Sequence, residues 1–401
     1  MSSITASVRF TGTKPIRLMA STSPSFTSPI YSPYANGEYK IGWVKLTVDG
    51  LAPNTLYYLR PDFVGAVAAA LPVGTARTPP AGAHSFSFAA GSCWNSSRNN
   101  ATGPFIFDTL KAKADANEIQ FFIHMGDIHY ADIQVEDTER FRAEMDGVFR
   151  NMPSRNALMR CMPVYYMYDD HDAGGPDNGN GFDVGTQAGI EFLRKAAPNP
   201  SYAVSNVTKP PYFSFKRGRC RFIVTDCRND RTPSNLPDGP SKYMFSDAQM
   251  NWFKDQLLAA NSAGEPVFWV NTTLWIGAAF PTADTWRGYD RQRQEIADFV
   301  VANGMSNKIA IVSGDEHAIA FDNGTNSAGG LRIMQCAPLD QTFSVSPLQG
   351  YSSPAIGETD RQYGLINVTD PGSGAVTVRY RGIVTGSTSE FVRIDQTFSL
   401  G

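Results

Sequence analysis

The sequence predicts an α/β domain that is preceded by a small β domain. Apolar segments too short to be helices alternate with helical segments over most of the chain, which is typical of buried strands in an α/β sheet. Gly (35) and Pro (26) are frequent and charged residues make up only 18% of the 401 residues, as expected for many turns and long loops. With 42% hydrophobic residues the chain can bury a large core, and its length favours two domains or one large domain with an appendage.

Residues 1–79 are predicted to form a β-sandwich. Residues 41–48 alternate between apolar and polar side chains as a strand does, and Asp49-Gly50 then provides a turn. In residues 51–60 a proline corner leads into an aromatic strand, a combination common in sandwiches of the immunoglobulin and fibronectin type. The proline-rich segment 75–83 is the predicted boundary, which leaves residues 80–401 for the second domain.

The second domain is predicted to contain buried strands and helices in alternation, followed by a β-like tail over residues 364–398. The predicted strands are residues 86–90, 120–125, 163–168, 221–225, 266–270 and 308–312. The predicted helices are residues 105–116, 137–149, 246–260 and 290–303.

Charge and cysteine usage argue against several classes of protein. The net charge is −3, from 35 basic and 38 acidic residues that are well mixed, so we expect no nucleic-acid partner. Residues 1–10 lack the basic region and apolar stretch of a secretory signal, and no membrane segment is expected. A cytoplasmic location and a trimmed form of an exported protein both remain open. The five cysteines are scattered and odd in number, which does not indicate a disulfide framework.

Side chains that can bind metals recur where the predicted strands end. In an α/β sheet such strand ends face a common crevice, so residues distant in sequence can meet there. The candidates are Cys93, Asp127, Tyr130, Asp170, His171, Asp226, Asn271, Asp315 and His317. Two cations held close together require a bridging carboxylate, and Asp127 suits that position. The sequence therefore predicts a metal site at these strand ends.

Four ordered motifs resemble a known family. They are Gly91-Ser92-Cys93-Trp94, Gly126-Asp127-x-x-Tyr130, Asp169-Asp170-His171-Asp172 and Gly314-Asp315-x-His317. Their order resembles that of the PhoD-like (alkaline phosphatase D) branch of the calcineurin-like metallophosphoesterases. The resemblance implies a domain of two central sheets flanked by helices, behind an N-terminal immunoglobulin- or fibronectin-like sandwich. It also implies that a metal-activated water hydrolyses a small phosphate monoester or diester.

The same resemblance implies a role for each site residue. One metal would be bound by Cys93, Asp127, Tyr130 and His317. The second metal would be bound by Asp170, Asn271 and Asp315, and Asp127 would bridge the two metals. A thiolate and a phenolate favour Fe(III), whereas oxygen ligands alone favour Ca²⁺, with Mg²⁺, Mn²⁺ and Zn²⁺ as alternatives for the second ion. Asn271 has a second interpretation as a strand-end amide that caps a turn.

Three further residues are expected near the phosphate. His171 would act as general acid or charge stabiliser, and Asp172 would orient its ring. Arg228 would bind the phosphate, or else form an ion pair between loops.

Two other classes of function remain as alternatives. A cysteine-dependent hydrolase would use Cys93 as its nucleophile, but that leaves the strand-end carboxylates unexplained. A non-catalytic binding or adhesion protein, working through its N-terminal domain, would require a degenerate metal site. The nearly complete ligand set favours the metal enzyme.

Overall fold

A computed structural model of the chain describes residues 2–10, 12–35, 42–64, 71–95, 106–150, 153–175, 186–205, 210–342, 350–354, 361–386 and 389–401. These residues form four β-sheets and six α-helices. None of the helices in these ranges combines the length and the apolar composition that a membrane crossing requires.

The N-terminal segment forms two small antiparallel sheets. Its strands are β1 (Ser2–Arg9), β2 (Ile16–Ser21), β3 (Ile30–Tyr31), β4 (Trp43–Leu51), β5 (Leu56–Phe63) and β6 (Gly74–Arg77). Strands β1 and β4 make one sheet, and the other has the order β3-β2-β5-β6. Both sheets contribute to one hydrophobic cluster, Ile4 and Val48 from the first and Leu18 and Leu59 from the second. The segment is therefore a two-layer β structure, while its immunoglobulin-like type stays a prediction.

The turn predicted at Asp49-Gly50 is wrong. Both residues lie inside β4, where Ile4 pairs with Val48 but Ser2 pairs with Leu51. The β4 strand thus carries one extra residue, and Gly50 accommodates it with a φ of 77°. A β-bulge stands where the sequence suggested the end of a strand.

Two larger sheets occupy the centre of the remaining chain. Their strands are β7 (Phe86–Gly91), β8 (Phe121–Met125), β9 (Val164–Met167), β10 (Phe213–Arg217), β11 (Cys220–Val224), β12 (Val267–Asn271), β13 (Ile309–Ser313), β14 (Ile319–Asp322), β15 (Arg332–Cys336), β16 (Ser353–Pro354), β17 (Gln362–Thr369), β18 (Val376–Thr385) and β19 (Glu390–Leu400). One sheet has the order β10-β11-β12-β13-β15-β14-β16 and the other β19-β18-β17-β7-β8-β9. Strands β7 to β9 run parallel, as do β11, β12, β13 and β15. The six strands predicted from apolar runs are all present.

The helices are α1 (Ile106–Asp115), α2 (Thr138–Arg150), α3 (Pro153–Met159), α4 (Thr186–Ala196), α5 (Asp247–Ala263) and α6 (Asp290–Ala302). Four of them match predicted helices, although residue 105 of the first prediction lies outside the described residues.

Alternate side chains show how the layers pack. In β12, Phe268 and Val270 join the cluster shared with the six-stranded sheet, whereas Val267 and Trp269 join the cluster formed with α5 and α6. The seven-stranded sheet is therefore covered by the other sheet on one face and by helices on the other.

Candidate metal centre

The loops that follow β7, β8, β9 and β13 bring most of the predicted ligands together. Among the described residues, three groups have potential ligand atoms that lie within 4.8 Å of one another inside each group. The groups are Cys93 with Asp127 and His317, Asp127 with Asp170 and His171, and Asp169 with Asp170 and Asp315. Asp127 belongs to the first two groups and Asp170 to the last two. The acidic residues thus form a continuous cluster.

The first group has a mixed set of donor atoms. The Tyr130 hydroxyl donates to Asp127 Oδ2 at 3.1 Å and lies 3.3 Å from His317 Nε2. His317 Nδ1 lies 2.7 Å from the carbonyl oxygen of Thr342. Because a carbonyl can only accept, Nδ1 carries the hydrogen and Nε2 keeps its lone pair toward the cluster. One sulfur, one nitrogen and two kinds of oxygen therefore converge.

The electrostatics of this group favour a bound cation. Burial, followed by the neighbouring Asp127 carboxylate, raises the pKa of the Cys93 thiol well above its ordinary value. Burial and the same carboxylate also raise the pKa of the Tyr130 phenol. Burial and the Asp170 and Asp169 carboxylates raise the pKa of Asp127 itself. These groups resist ionisation because they are buried and because other negative charges lie beside them, and a multivalent cation would reverse that balance.

The backbone of the centre is bent into an uncommon conformation. Cys93, Asp127 and Asp315 have positive φ angles of 61°, 55° and 66°. Gly126, with a φ of 90°, also lies against the loop after β9, since a Cβ there would be 2.3 Å from the Cβ of Asp169. Only glycine allows the two loops to approach this closely.

Asp172 has a different role from the predicted one. Its Oδ2 accepts hydrogen bonds from the backbone N–H groups of Asp127 (2.7 Å) and Asp169 (3.1 Å), and its Oδ1 accepts from that of Ile128 (2.9 Å). It therefore ties the loop after β8 to the loop after β9 and does not orient the ring of His171.

Asp132 is the residue that contacts the ring of His171. Its Oδ1 lies 2.7 Å from His171 Nδ1, while the ring centroids of His171 and Tyr130 are 3.9 Å apart. The backbone N–H of His171 donates to Asp127 Oδ1 at 3.3 Å. Sequence reasoning missed Asp132, although it follows the Gly126-Asp127-x-x-Tyr130 motif by two residues.

Arg228 lies inside the acidic cluster, which differs from its expected phosphate-binding position. Its side chain is 0% exposed, and Nε forms an ion pair with Asp169. Nη1 lies 2.8 Å from Asp284 Oδ2, and Nη2 lies 3.6 Å from Asp170 Oδ1 and 3.5 Å from Asp315 Oδ1. A guanidinium that is fully buried among carboxylates is not available to a phosphate in this arrangement. The alternative of an ion pair between loops describes it better.

Asn271 is directed away from the cluster. Its Oδ1 accepts from the Trp286 indole at 3.0 Å and from the Cys227 thiol at 2.9 Å, and its Nδ2 donates to the Thr273 carbonyl at 2.7 Å. Both acceptor positions of the amide oxygen are used, so the structure favours the capping interpretation over the metal ligand.

Asp169 is a further carboxylate in the group that contains Asp170 and Asp315. It is fully buried, and its Oδ2 has no hydrogen-bond partner among the described residues. Burial, partly offset by Arg228, raises its pKa to about 6. This buried oxygen, which no described residue satisfies, lies in the group with Asp170 and Asp315 that could hold a cation.

Comparisons with known proteins bear on the family and the fold of this chain. A model of the PhoD-like phosphatase family matches residues 86–329. Alkaline phosphatase D of Bacillus subtilis (strain 168) is 22% identical over 320 residues, which cover 69% of this chain and 53% of that protein. The chain thus spans about half the length of this relative. A solved structure described as "Structure of PhoD" superposes with a TM-score of 0.74 at 17% identity, over 97% of this chain and 84% of the other. The chain belongs to the PhoD-like phosphatase family.

Proposed function

We propose that this protein is a metal-dependent phosphoric-ester hydrolase with a dinuclear centre. The observation that carries the proposal is the convergence of Cys93, Asp127 and His317 on one point, with Asp127 shared by the adjoining acidic group. A carboxylate between two sets of ligands is what a two-cation site requires. Family membership and the likeness to alkaline phosphatase D support a phosphate ester as the substrate class.

The first cation would be bound by Cys93, Tyr130 and His317 together with the bridging Asp127. The thiolate of Cys93 and the phenolate of Tyr130 would favour Fe(III) at this position. The second cation would be bound by Asp127, Asp170 and Asp315, with Asp169 in place of the expected Asn271. Oxygen ligands alone would favour Ca²⁺, while Mg²⁺, Mn²⁺ and Zn²⁺ remain alternatives. When bound, such cations supply Lewis-acid activation of water and neutralise charge on the phosphoryl oxygens.

His171 would transfer a proton at the reacting ester. The Asp132 carboxylate accepts from Nδ1–H, which fixes the ring and leaves Nε2 as the atom that can donate to the departing oxygen. Asp172 would hold the loops that carry Asp127 and Asp170 in register through its three backbone contacts.

Metal analysis combined with an ester-hydrolysis assay tests the proposal. The purified protein should lose activity after prolonged chelation, and Asp127→Ala should lose both turnover and metal, whereas Asp298→Ala, on the exposed surface of α6, should retain both. A thiolate- or phenolate-to-Fe(III) charge-transfer band should be present in the visible spectrum, and Cys93→Ser should remove its thiolate component. An active, colourless and iron-free protein would contradict the Fe(III) assignment.

The same assay separates the enzyme from a cysteine hydrolase. Activity that survives chelation and disappears on thiol alkylation would identify Cys93 as a nucleophile instead. An Asp127→Ala protein that is inactive but fully loaded with metal would contradict the bridging role.

We also propose that residues 1–79 form a separate sandwich domain and residues 80–401 the catalytic domain. The support is that the buried residues of one hydrophobic cluster all lie between Ile4 and Ala76, whereas those of the other two begin at Phe86 and at Ile223. Limited proteolysis should cut first between these limits, and stable fragments that end elsewhere would argue for a different boundary.

A further inference from the structure

The two loops that carry the sulfur and the bridging carboxylate of the proposed first cation site run side by side. The backbone N–H of Cys93 donates to the Gly126 carbonyl at 3.1 Å, and that of Trp94 donates to the Asp127 carbonyl at 2.9 Å. Cys93 and Asp127 both have positive φ angles, and residues other than glycine keep such a conformation only where surrounding contacts impose it. The loops therefore need support from other parts of the fold.

A single side chain from α3 contacts both loops. Arg155 is 0% exposed, and its guanidinium lies over the ring of Trp94. Its Nη1 also donates to the carbonyl of Ile128 at 3.4 Å. Trp94 directly follows Cys93 in the chain, and Ile128 directly follows Asp127. The guanidinium thus connects the two residues that come immediately after two of the proposed ligands.

Burying this arginine costs stability. Burial lowers the pKa of Arg155 well below its ordinary value, and the charges of Asp340 and Glu144 only partly offset that effect. Its Nε and Nη2 have no hydrogen-bond partner among the described residues. An apolar side chain of similar volume would avoid both costs. The contacts with the two ligand loops, and not the stability of the core, are therefore what this arginine contributes.

Helix α3 is fixed at its end by the N-terminal sheets. The Thr75 N–H of β6 donates to the Arg160 carbonyl at 2.6 Å, and the Thr75 hydroxyl donates to the Cys161 carbonyl at 3.3 Å. A Cβ at Gly74 would lie 3.1 Å from the same Arg160 oxygen, so β6 packs closely against the residue that follows the helix. A side chain on a helix that is held in this way supports a site more precisely than a side chain on a loop.

We propose that Arg155 is a positioning residue for the first cation of the proposed function. It holds the loops after β7 and β8 at the spacing that lets the Cys93 sulfur and the Asp127 carboxylate bind one ion. Arg155 acts through these loops and does not itself bind the ion. The inference rests on the proposed function, because it assumes that Cys93 and Asp127 share a cation.

Titration of the whole protein with Co²⁺, after chelation, tests the proposal. A thiolate-to-cobalt absorption band reports binding at Cys93, and Cys93→Ser should lack that band. Arg155→Met should weaken Co²⁺ binding by about 10- to 100-fold, the usual effect of removing a group that orients a metal ligand. Arg155→Lys should restore part of the affinity, because an ammonium group can also lie over the Trp94 ring and donate to the Ile128 carbonyl.

Two comparisons separate positioning from general destabilisation. Ca²⁺ affinity, measured by calorimetry, should change less, because Asp170 and Asp315 lie on the loops after β9 and β13, whereas Arg155 contacts the loops after β7 and β8. Arg194→Met removes another buried arginine that donates to backbone carbonyls, and it should leave Co²⁺ binding unchanged. Chemical unfolding in chelator shows whether each variant is folded.

Unchanged Co²⁺ affinity in Arg155→Met would overturn the inference and leave the proposed function intact. An equal loss of Co²⁺ affinity in Arg194→Met, or an equal loss of Ca²⁺ affinity in Arg155→Met, would also overturn it. If Arg155→Met does not fold, Arg155→Lys decides: it should bind Co²⁺ more weakly than the parent protein, and an affinity equal to the parent's would overturn the inference. A parent protein without a Cys93-dependent band would contradict the proposed function and the inference together.

Discussion

Replacing Arg228 with methionine should destabilise the metal-free protein strongly and the metal-loaded protein much less. The guanidinium is fully buried and lies beside four carboxylates, at 2.8 Å from Asp284, 3.5 Å from Asp315 and 3.6 Å from Asp170, and in an ion pair with Asp169. Methionine preserves much of the packing volume but removes the positive charge. The carboxylates would then be left buried without their cation.

The expected loss is about 3–5 kcal/mol of unfolding free energy in the absence of metal, the usual cost of removing one partner from a buried ion pair. The loss should depend on pH. Burial raises the pKa of Asp169 to about 6 even though Arg228 lowers it, and without Arg228 that pKa rises further. A folded state with a raised carboxyl pKa binds more protons than the unfolded state, so the variant should recover stability as the pH falls from above about 6 toward the unfolded carboxyl pKa of about 4.

Chemical unfolding of both proteins in chelator, at about pH 7.5 and about pH 5, measures these differences. Addition of Ca²⁺ should restore much of the loss at the higher pH, because the ion supplies positive charge to the same carboxylates. Arg379→Met, at an exposed ion pair with Asp395, provides the matched control and should unfold like the parent protein. A stable Arg228→Met protein with a raised KM for phosphate esters would refute the reasoning and return Arg228 to substrate binding.

Three other variants test single contacts. Asp132→Asn should lower kcat by about 10- to 100-fold without loss of metal, because it releases the ring of His171; an unchanged kcat would show that the contact is incidental. Asn271→Ala should cost about 1–3 kcal/mol by leaving the Trp286 indole unpaired, with metal content unchanged; loss of metal would make Asn271 a ligand after all. Because the pKa of buried His124 is lowered to about 3, the parent protein should lose about 2 kcal/mol relative to His124→Leu between about pH 7 and pH 5, as the unfolded histidine takes up a proton; a pH-independent difference in unfolding free energy would disprove this.

The strands of the parallel regions, except β15, could be predicted because both of their faces are buried. Residues 309–313 of β13, for example, are all buried, which produces an unbroken apolar run in the sequence. Strand β14 has only four residues and directly follows the His317 motif, so its sequence gives little periodic signal. Helix α4 was also missed. It packs against α2 and β4 in the folded protein, and contacts of this kind are invisible in a local pattern.

The sequence predicts which site residues lie near one another where the backbone position alone brings them together. Strand ends in a sheet share an edge, which is why Cys93, Asp127 and Asp315 could be grouped from the sequence. Asn271 obeys the same rule, yet its side chain turns to the Trp286 indole, because a rotamer depends on partners from other parts of the fold. Asp284 lies in a long loop that no strand-end rule reaches, although it forms an ion pair with Arg228.

The left-handed backbone at Cys93, Asp127 and Asp315 bears on how this protein can evolve. Glycine adopts a positive φ freely, whereas other residues lose up to about 1–2 kcal/mol there. Substitution by glycine would remove a ligand and relax the backbone in the same step, and at the two aspartates it would also remove a buried negative charge. Under selection for heat resistance alone, glycine should therefore accumulate at these positions. The unfolding free energy of the metal-free protein would then increase while the metal centre is lost.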